Sequence, residues 1–252
     1  MRCRLGFWID RYESEVRSIF LTGLQSRPSK YDSTDMTPER YHKIRETLEL
    51  RQPDLTLLTD RVEKGRNIAA MRRSCDAFAV GEMHAVVAED YLPRRHAGIT
   101  AGTHKRVRLF HHKSLAEPIT KLRSRGMRIV ATDLSDAAVD YQQYDFTQPT
   151  AILMGSELFG VSDEAKQLAD DLIHIPMRGL VESLNVSVAF AIILSEACRQ
   201  RSEAGMFDKP RMTKEEIDRI TFEWGYPKLK SYYQGKGLAY PELDQDGQII
   251  SK

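Results

Sequence analysis

The chain has few cysteines, no long apolar run and almost no net charge. Its three cysteines, Cys3, Cys75 and Cys198, lie far apart and form no CxxC pair. A disulfide framework and a cysteine zinc site are thereby excluded, and a reducing cytoplasm is the expected compartment. No stretch approaches the roughly 18 consecutive apolar residues of a membrane span, and the mean hydropathy is −0.45. The 37 basic and 36 acidic residues leave a formal charge of +1, so no global attraction to an acidic partner operates. Fifteen Gly and ten Pro are too few for a collagen-like or low-complexity chain. There is no GxGxxG after an apolar run, no GxxxxGK[ST] and no GxSxG. Dinucleotide binding and P-loop hydrolysis therefore lack their phosphate cradle, and the serine elbow of the α/β-hydrolases is missing.

What is present is 252 residues, enough for one large or two small domains at about 150 residues each. Residues 91–116 hold no Asp or Glu, but carry Arg94, Arg95, Lys105, Arg106, Arg108 and Lys113 together with His96, His104, His111 and His112. Such a stretch in a neutral protein reads either as a phosphate footprint or as a solvated basic loop. No acid or cysteine accompanies the histidines, so no metal is expected.

Residues 1–35 read as a short amphipathic segment followed by a polar linker, QSRPSKYDSTD. The acidic Asp10, Glu13 and Glu15 argue against a transit peptide, and an upstream start assignment is one expectation for this segment. At Met36 the pattern sharpens. Thr37 suits an N-cap and Pro38 a first turn, with Tyr41, Ile44 and Leu48 on one face. Short apolar runs at 55–58, 85–87, 107–110, 128–132, 151–154 and 172–176 then alternate with helical segments, including 67–78, one capped by Ser114, and 184–201. Strands apolar on both sides with helices between them predict an α/β fold with a parallel sheet covered on both faces. The expected divisions are an N-terminal helical extension over 36–52, an α/β core over 53–205, and a helical C-terminal extension and tail over 206–252, broken at WGYP (224–227).

Three polar intrusions at the ends of apolar elements are the candidate chemistry. In RNIAAMRR (66–73), Asn67 and Arg73 are six apart, about 120° round a helix; a cap and a surface arginine would look the same. In ILMGSELFGVS (152–162), an apolar run stops at Gly155, with Glu157 and Gly160 following. In IPMRGLVESLNVSVAFAIILSEA (175–197), Ser183, Asn185 and Ser187 open an otherwise apolar helix, where capping is the plain alternative. Each is weak alone.

In this order, on alternating strands, the three segments resemble the SpoU/TrmH branch of the SPOUT RNA 2′-O-methyltransferases. The likeness runs from about residue 36 to 249, and the flanks ERYHKIRETLELRQPDLTLL and FEWGYPKLKSYYQGKGLAYPELDQDGQI resemble members acting on guanosine 18 of the tRNA D-loop. Residues 1–35 lie outside it. The resemblance implies S-adenosylmethionine bound in a deep C-terminal trefoil knot, with Thr132, Gly155, Ile175, Met177 and Leu184 as its contacts. It implies Arg73 as the catalytic arginine, supported by Asn67, Glu157, Ser183 and Asn185. Arginine is an unusual base, since its pKa exceeds about 12; it acts either as an unusually poised base or, the physically favoured account, as a stabiliser of developing anionic charge. A homodimer is implied, with tRNA as partner and neither DNA nor membrane. The expected RNA contacts are Arg40, Lys43, Arg94, Arg95, His104, Lys105, Lys228, Lys230 and Lys236. A 2′-O-methyltransferase for ribosomal RNA or another tRNA position is the nearest alternative. A non-catalytic RNA-binding module is disfavoured because every motif residue is present.

Overall fold

The computed structural model describes residues 36–87, 103–156 and 158–250; the expectations for residues 1–35 lie outside them. Met36–Lys252 forms one compact unit. Its strands are β1 (Leu55–Asp60), β2 (Glu82–Val86), β3 (Arg108–His112), β4 (Arg128–Thr132), β5 (Val139–Asp140), β6 (Thr150–Met154) and β7 (Asp171–His174). They make one sheet in the order β3-β2-β1-β6-β4-β7-β5. Every pairing in it is parallel.

Burial on both faces follows from the alternation of side chains along a strand. Leu57, Val130, Ile152 and Met154 enter one core with Met71 and Cys75 of α2 (Gly65–Ala77) and Phe190, Ile193 and Leu194 of α5 (Val186–Glu203). Their neighbours Leu58, Ile129, Ala131 and Leu153 enter the opposite core with Ile119 and Leu122 of α3 (Ala116–Ser124) and Ala165 of α4 (Asp163–Leu168). The α/β expectation holds.

Several boundaries differ, each for a physical reason. β2 begins at Glu82, not near residue 85, because Glu82 and His84 are buried as paired polar groups. Arg108 Nη2 donates to Glu82 Oε2 at 3.0 Å, Arg125 also binds Glu82, and His84 Nδ1 meets His112 Nε2 at 2.9 Å. Ser114 is not a cap: α3 starts after Leu115, with no side-chain cap bond. β5 is two residues long, and α4 is six residues capped by Ser162; both are too short to show a period.

At the other end of the chain order, α1 (Pro38–Glu49) starts as expected, with Thr37 Oγ1 accepting from the Arg40 amide at 3.3 Å and Pro38 in the first turn. Its Tyr41, Ile44 and Leu48 pack with Ile217, Ile220 and Trp224 of α6 (Lys214–Gly225). Met36 packs in the same cluster, its Cε where a Cβ on Gly225 would stand 1.9 Å away. Pro227 then opens α7 (Pro227–Lys236).

Glu82 carries a testable consequence. Burial alone would raise its carboxyl, but His84, 3.8 Å away, and the guanidinia of Arg125 and Arg108 outweigh that and hold it at about 2, against an ordinary 4.5. A lowered carboxyl stabilises the fold above its unfolded pKa and loses that contribution as pH falls through the folded one. Urea unfolding at pH 6 and pH 3 should therefore show about 2 kcal/mol more loss in the native protein than in Glu82→Gln. Equal pH dependence would contradict the pairing.

Candidate active site

The carboxyl ends of β4, β6 and β7 come together because β4 sits between the other two. That is where open parallel sheets hold ligands. A cavity of about 390 Å³ opens there, lined by the loops after the three strands and by the start of α5. Thr132, Gly155, Ile175, Met177 and Leu184, separated widely in the chain, all line it. Ser183 joins them at its rim.

Gly155 is dictated by its own turn. Ser156 and Gly160 exchange two backbone hydrogen bonds, each 2.9 Å, so the chain doubles back on Gly155. A Cβ at Gly155 would lie 1.9 Å from the Gly160 carbonyl carbon and 2.1 Å from the Val161 nitrogen. The constraint is backbone against backbone, which no rotamer relieves. Gly155→Val should open this turn and, on the expectation that S-adenosylmethionine binds in this cavity, weaken its binding at least about tenfold; unchanged calorimetric affinity in a folded variant would remove Gly155 from the expected site.

Asn185 and Asn67 join the cavity to α2. Asn185 caps α5: its Oδ1 accepts from the Ser187 amide at 2.9 Å and the Ser187 hydroxyl at 2.6 Å. Capping was the plain alternative for this residue, and it is only half of the arrangement. Asn185 Nδ2 also donates to Asn67 Oδ1 at 3.3 Å. Asn67 is not the cap of α2, a position held by Lys64; it is buried in the first turn and faces Asn185. Leu184 and Val186, on either side of Asn185, line the cavity.

The two adjacent arginines of α2 have different surroundings. Arg72 is half-buried and its Nε donates to the Val107 carbonyl at 2.8 Å, with Nη2 on the same oxygen. Arg73 is exposed and does not line the cavity of this single chain. Helix geometry puts it about 9 Å along the axis from Asn67. Glu157 lies outside the described residues.

Residues that sequence reasoning missed include Asp133, directly after Thr132 in the cavity wall and paired with Lys166 at 2.8 Å. Hydrogen bonds and the Lys166 charge hold its carboxyl low against the raising effect of burial. Leu134, Leu158 and Phe159 also line the cavity while standing 68%, 84% and 87% exposed. Such exposure of large apolar groups at a cavity mouth was not signalled by periodicity.

The expected RNA contacts scatter. Lys228 and Lys236 are exposed on α7 and Lys43 pairs with Glu46 at 3.4 Å. Arg40 Nη2 donates to the Trp224 carbonyl at 3.1 Å, so it also joins α1 to α6. Lys105 and Lys230 line a separate cleft. Arg94, Arg95 and the side chain of His104 lie outside the described residues.

The profile of the SpoU rRNA Methylase family matches residues 54–195, and that of its C-terminal region, "SpoU, rRNA methylase, C-terminal", matches residues 199–252. The chain belongs to the SpoU methylase family. Within it, the chain is 45% identical over 216 residues to the tRNA (guanosine(18)-2′-O)-methyltransferase of Escherichia coli K12, covering 85% of this chain and 94% of that protein. The crystal structure of the A. aeolicus TrmH/SpoU tRNA modifying enzyme superposes with a TM-score of 0.71 at 41% identity, over 76% of this chain and 97% of that one. The SpoU methyltransferase AviRb from Streptomyces viridochromogenes, solved with the cofactor AdoMet, gives a TM-score of 0.54 at 30% identity, over 61% of this chain and 59% of that one.

Proposed function

We propose that the protein methylates the ribose 2′-oxygen of guanosine 18 in tRNA, using S-adenosylmethionine. The observation that carries this reading is the convergence of Thr132, Gly155, Ile175, Met177 and Leu184 on one cavity, joined through Asn185 and Asn67 to the helix that bears Arg73. Relatives that this chain covers almost end to end, and that carry this activity in their names, support the substrate.

The lining suits the cofactor. Gly155, Gly160 and Ile175 stand in the wall beside a space for a nucleoside, Met154, Met177 and Leu184 offer apolar contact, and Asp133 and Glu182 bring negative charge suited to a cationic ligand. When bound, S-adenosylmethionine supplies a sulfonium methyl that a ribose oxygen takes by in-line displacement. The remaining work belongs to this chain: placing the ribose and managing the charge that grows as the hydroxyl loses its proton. Arg73 is a permanent cation with a forked donor set, and it stabilises that charge or clamps the adjacent phosphate while the proton leaves to phosphate or water. Asn67 and Asn185 orient α2 against the cavity. Glu157 and Ser183 complete the polar surroundings in this reading, and the knot implied by the family belongs with the same three loops.

The same reading makes the working form a homodimer in the cytoplasm. Leu134, Leu158, Phe159 and Val188 are exposed apolar groups near the cavity, and Val188, Ala191 and Ile192 continue them along α5. A second copy covering this face would bring further groups toward Arg73. Light scattering at micromolar concentration should give twice the chain mass, and Ile192→Glu should yield monomers with little activity. A fully active monomer would contradict the dimer. The function itself is tested by transfer of labelled methyl from S-adenosylmethionine to unmodified tRNA, set against ribosomal RNA; preference for ribosomal RNA would overturn the assignment.

A further inference from the structure

At the opposite end of the sheet, the amino ends of β1, β2 and β3 face α6 and α7 across a cleft of about 200 Å³. Strands of five or six residues, with about three strand spacings across the sheet, put it more than about 20 Å from the cofactor cavity. Its walls carry Arg51, Lys105, Arg106, Arg108, Arg125, Arg219 and Lys230 against the carboxylates Glu82, Glu216 and Glu223. Among the described residues, and with Asp76 added, the cations exceed the acids by three.

The excess is built in rather than scattered. Arg51 is 3% exposed, yet it shares one carboxylate with a second guanidinium: its Nη2 lies 3.0 Å from Asp76 Oδ1, while Arg106 Nε lies 2.8 Å from Asp76 Oδ2. Arg108 and Arg125 likewise share Glu82, and Lys230 shares Glu223 with Arg219. Asp76, Glu82 and Glu223 thus each serve two cations, so each of these three groups carries a cation in excess among the described residues. Three such pairs around one concave space make a site for an anion, and guanidinium forks suit phosphate oxygens. The opposed walls come from the core and from the C-terminal helices, so an anion here would tie them together.

We propose that this cleft holds a phosphodiester of the substrate RNA, away from the reacting ribose, and so sets the orientation of the tRNA body on the enzyme. The proposal rests on the tRNA reading above. A free nucleoside phosphate offers the same chemistry, and the experiment separates the two.

Binding of unmodified tRNA to the full chain should be measured across a salt series, beside a variant with Lys105→Ala, Arg108→Ala and Lys230→Ala. The expected result is at least a tenfold weaker Kd, a salt slope smaller by about two to three, and unchanged affinity for S-adenosylmethionine. If the triple variant melts early, the single reversal Lys105→Glu, on an exposed side chain, should weaken tRNA binding in the same direction. Unchanged tRNA affinity and slope in a folded variant would overturn the proposal. So would micromolar binding of GMP by the native protein, lost in the variant while tRNA binding stays unaltered, because the cleft would then belong to a free nucleotide. Failure of the native protein to methylate tRNA is a separate outcome, read without any variant, and refutes the functional reading first.

Discussion

Arg73→Ala should lower methyl transfer by about a hundred- to a thousandfold, the range for removing one stabiliser of transition-state charge, with S-adenosylmethionine affinity changed less than about threefold. The division follows from placement. Arg73 is exposed on α2 and does not line the cavity that Thr132, Gly155 and Ile175 help to form, so its loss removes nothing from the cofactor's walls. Arg73→Lys should recover little, since an ammonium cannot reproduce the planar fork. Arg72→Ala should behave differently: its guanidinium is held on the Val107 carbonyl, so the variant should lose stability before it loses chemistry. Single-turnover rates and calorimetry on the three variants check this. A parallel fall in rate and cofactor affinity for Arg73→Ala would refute the assignment.

The second large effect is structural. Arg201, near the end of α5, is fully buried. Its Nη1 donates to Asp54 Oδ1 at 2.7 Å and Gln52 Oε1 at 3.0 Å, its Nε to the Phe146 carbonyl at 2.9 Å, and its Nη2 to the Gln148 carbonyl at 3.1 Å. One side chain thus ties α5 to the segments entering β1 and β6. Arg201→Ala leaves the Phe146 carbonyl and the Gln52 amide oxygen without this donor, the Gln148 carbonyl with the Thr150 hydroxyl only, and Asp54 with Arg211, which pairs with it at 2.6 Å. Breaking a buried ion pair costs about 3–5 kcal/mol. Equilibrium unfolding in urea should show a loss of that size; less than about 1 kcal/mol would mean that the network is dispensable.

These two arginines mark what the sequence discloses and what it hides. RIVAT and AILM read as strands because Ile129–Ala131 and Ala151–Met154 are unbroken apolar runs and both faces of the sheet are covered. Thr37-Pro38 reads as a helix start because cap chemistry is local. Glu82 and His84 concealed the start of β2, since their partners Arg108, Arg125 and His112 are distant in sequence. Arg201 reads as an ordinary charged residue at a helix end, and nothing in its neighbours announces Asp54. The cavity was legible in a different way. No spacing brings Thr132 to Gly155 and Ile175; the family motifs did so, and the strand order β6-β4-β7 supplies the physical cause. Asn67 shows the limit of local reasoning most clearly, because a polar residue in a first turn looks like a cap until Asn185 is placed against it.

The most direct measurement is mass-spectrometric mapping of an unmodified tRNA transcript after incubation with the protein and S-adenosylmethionine, beside a transcript carrying 2′-deoxyguanosine at position 18. The account predicts one added methyl on the ribose of guanosine 18 in the first transcript and none in the second. A methyl on a base, on another nucleotide, or on both transcripts alike would contradict it.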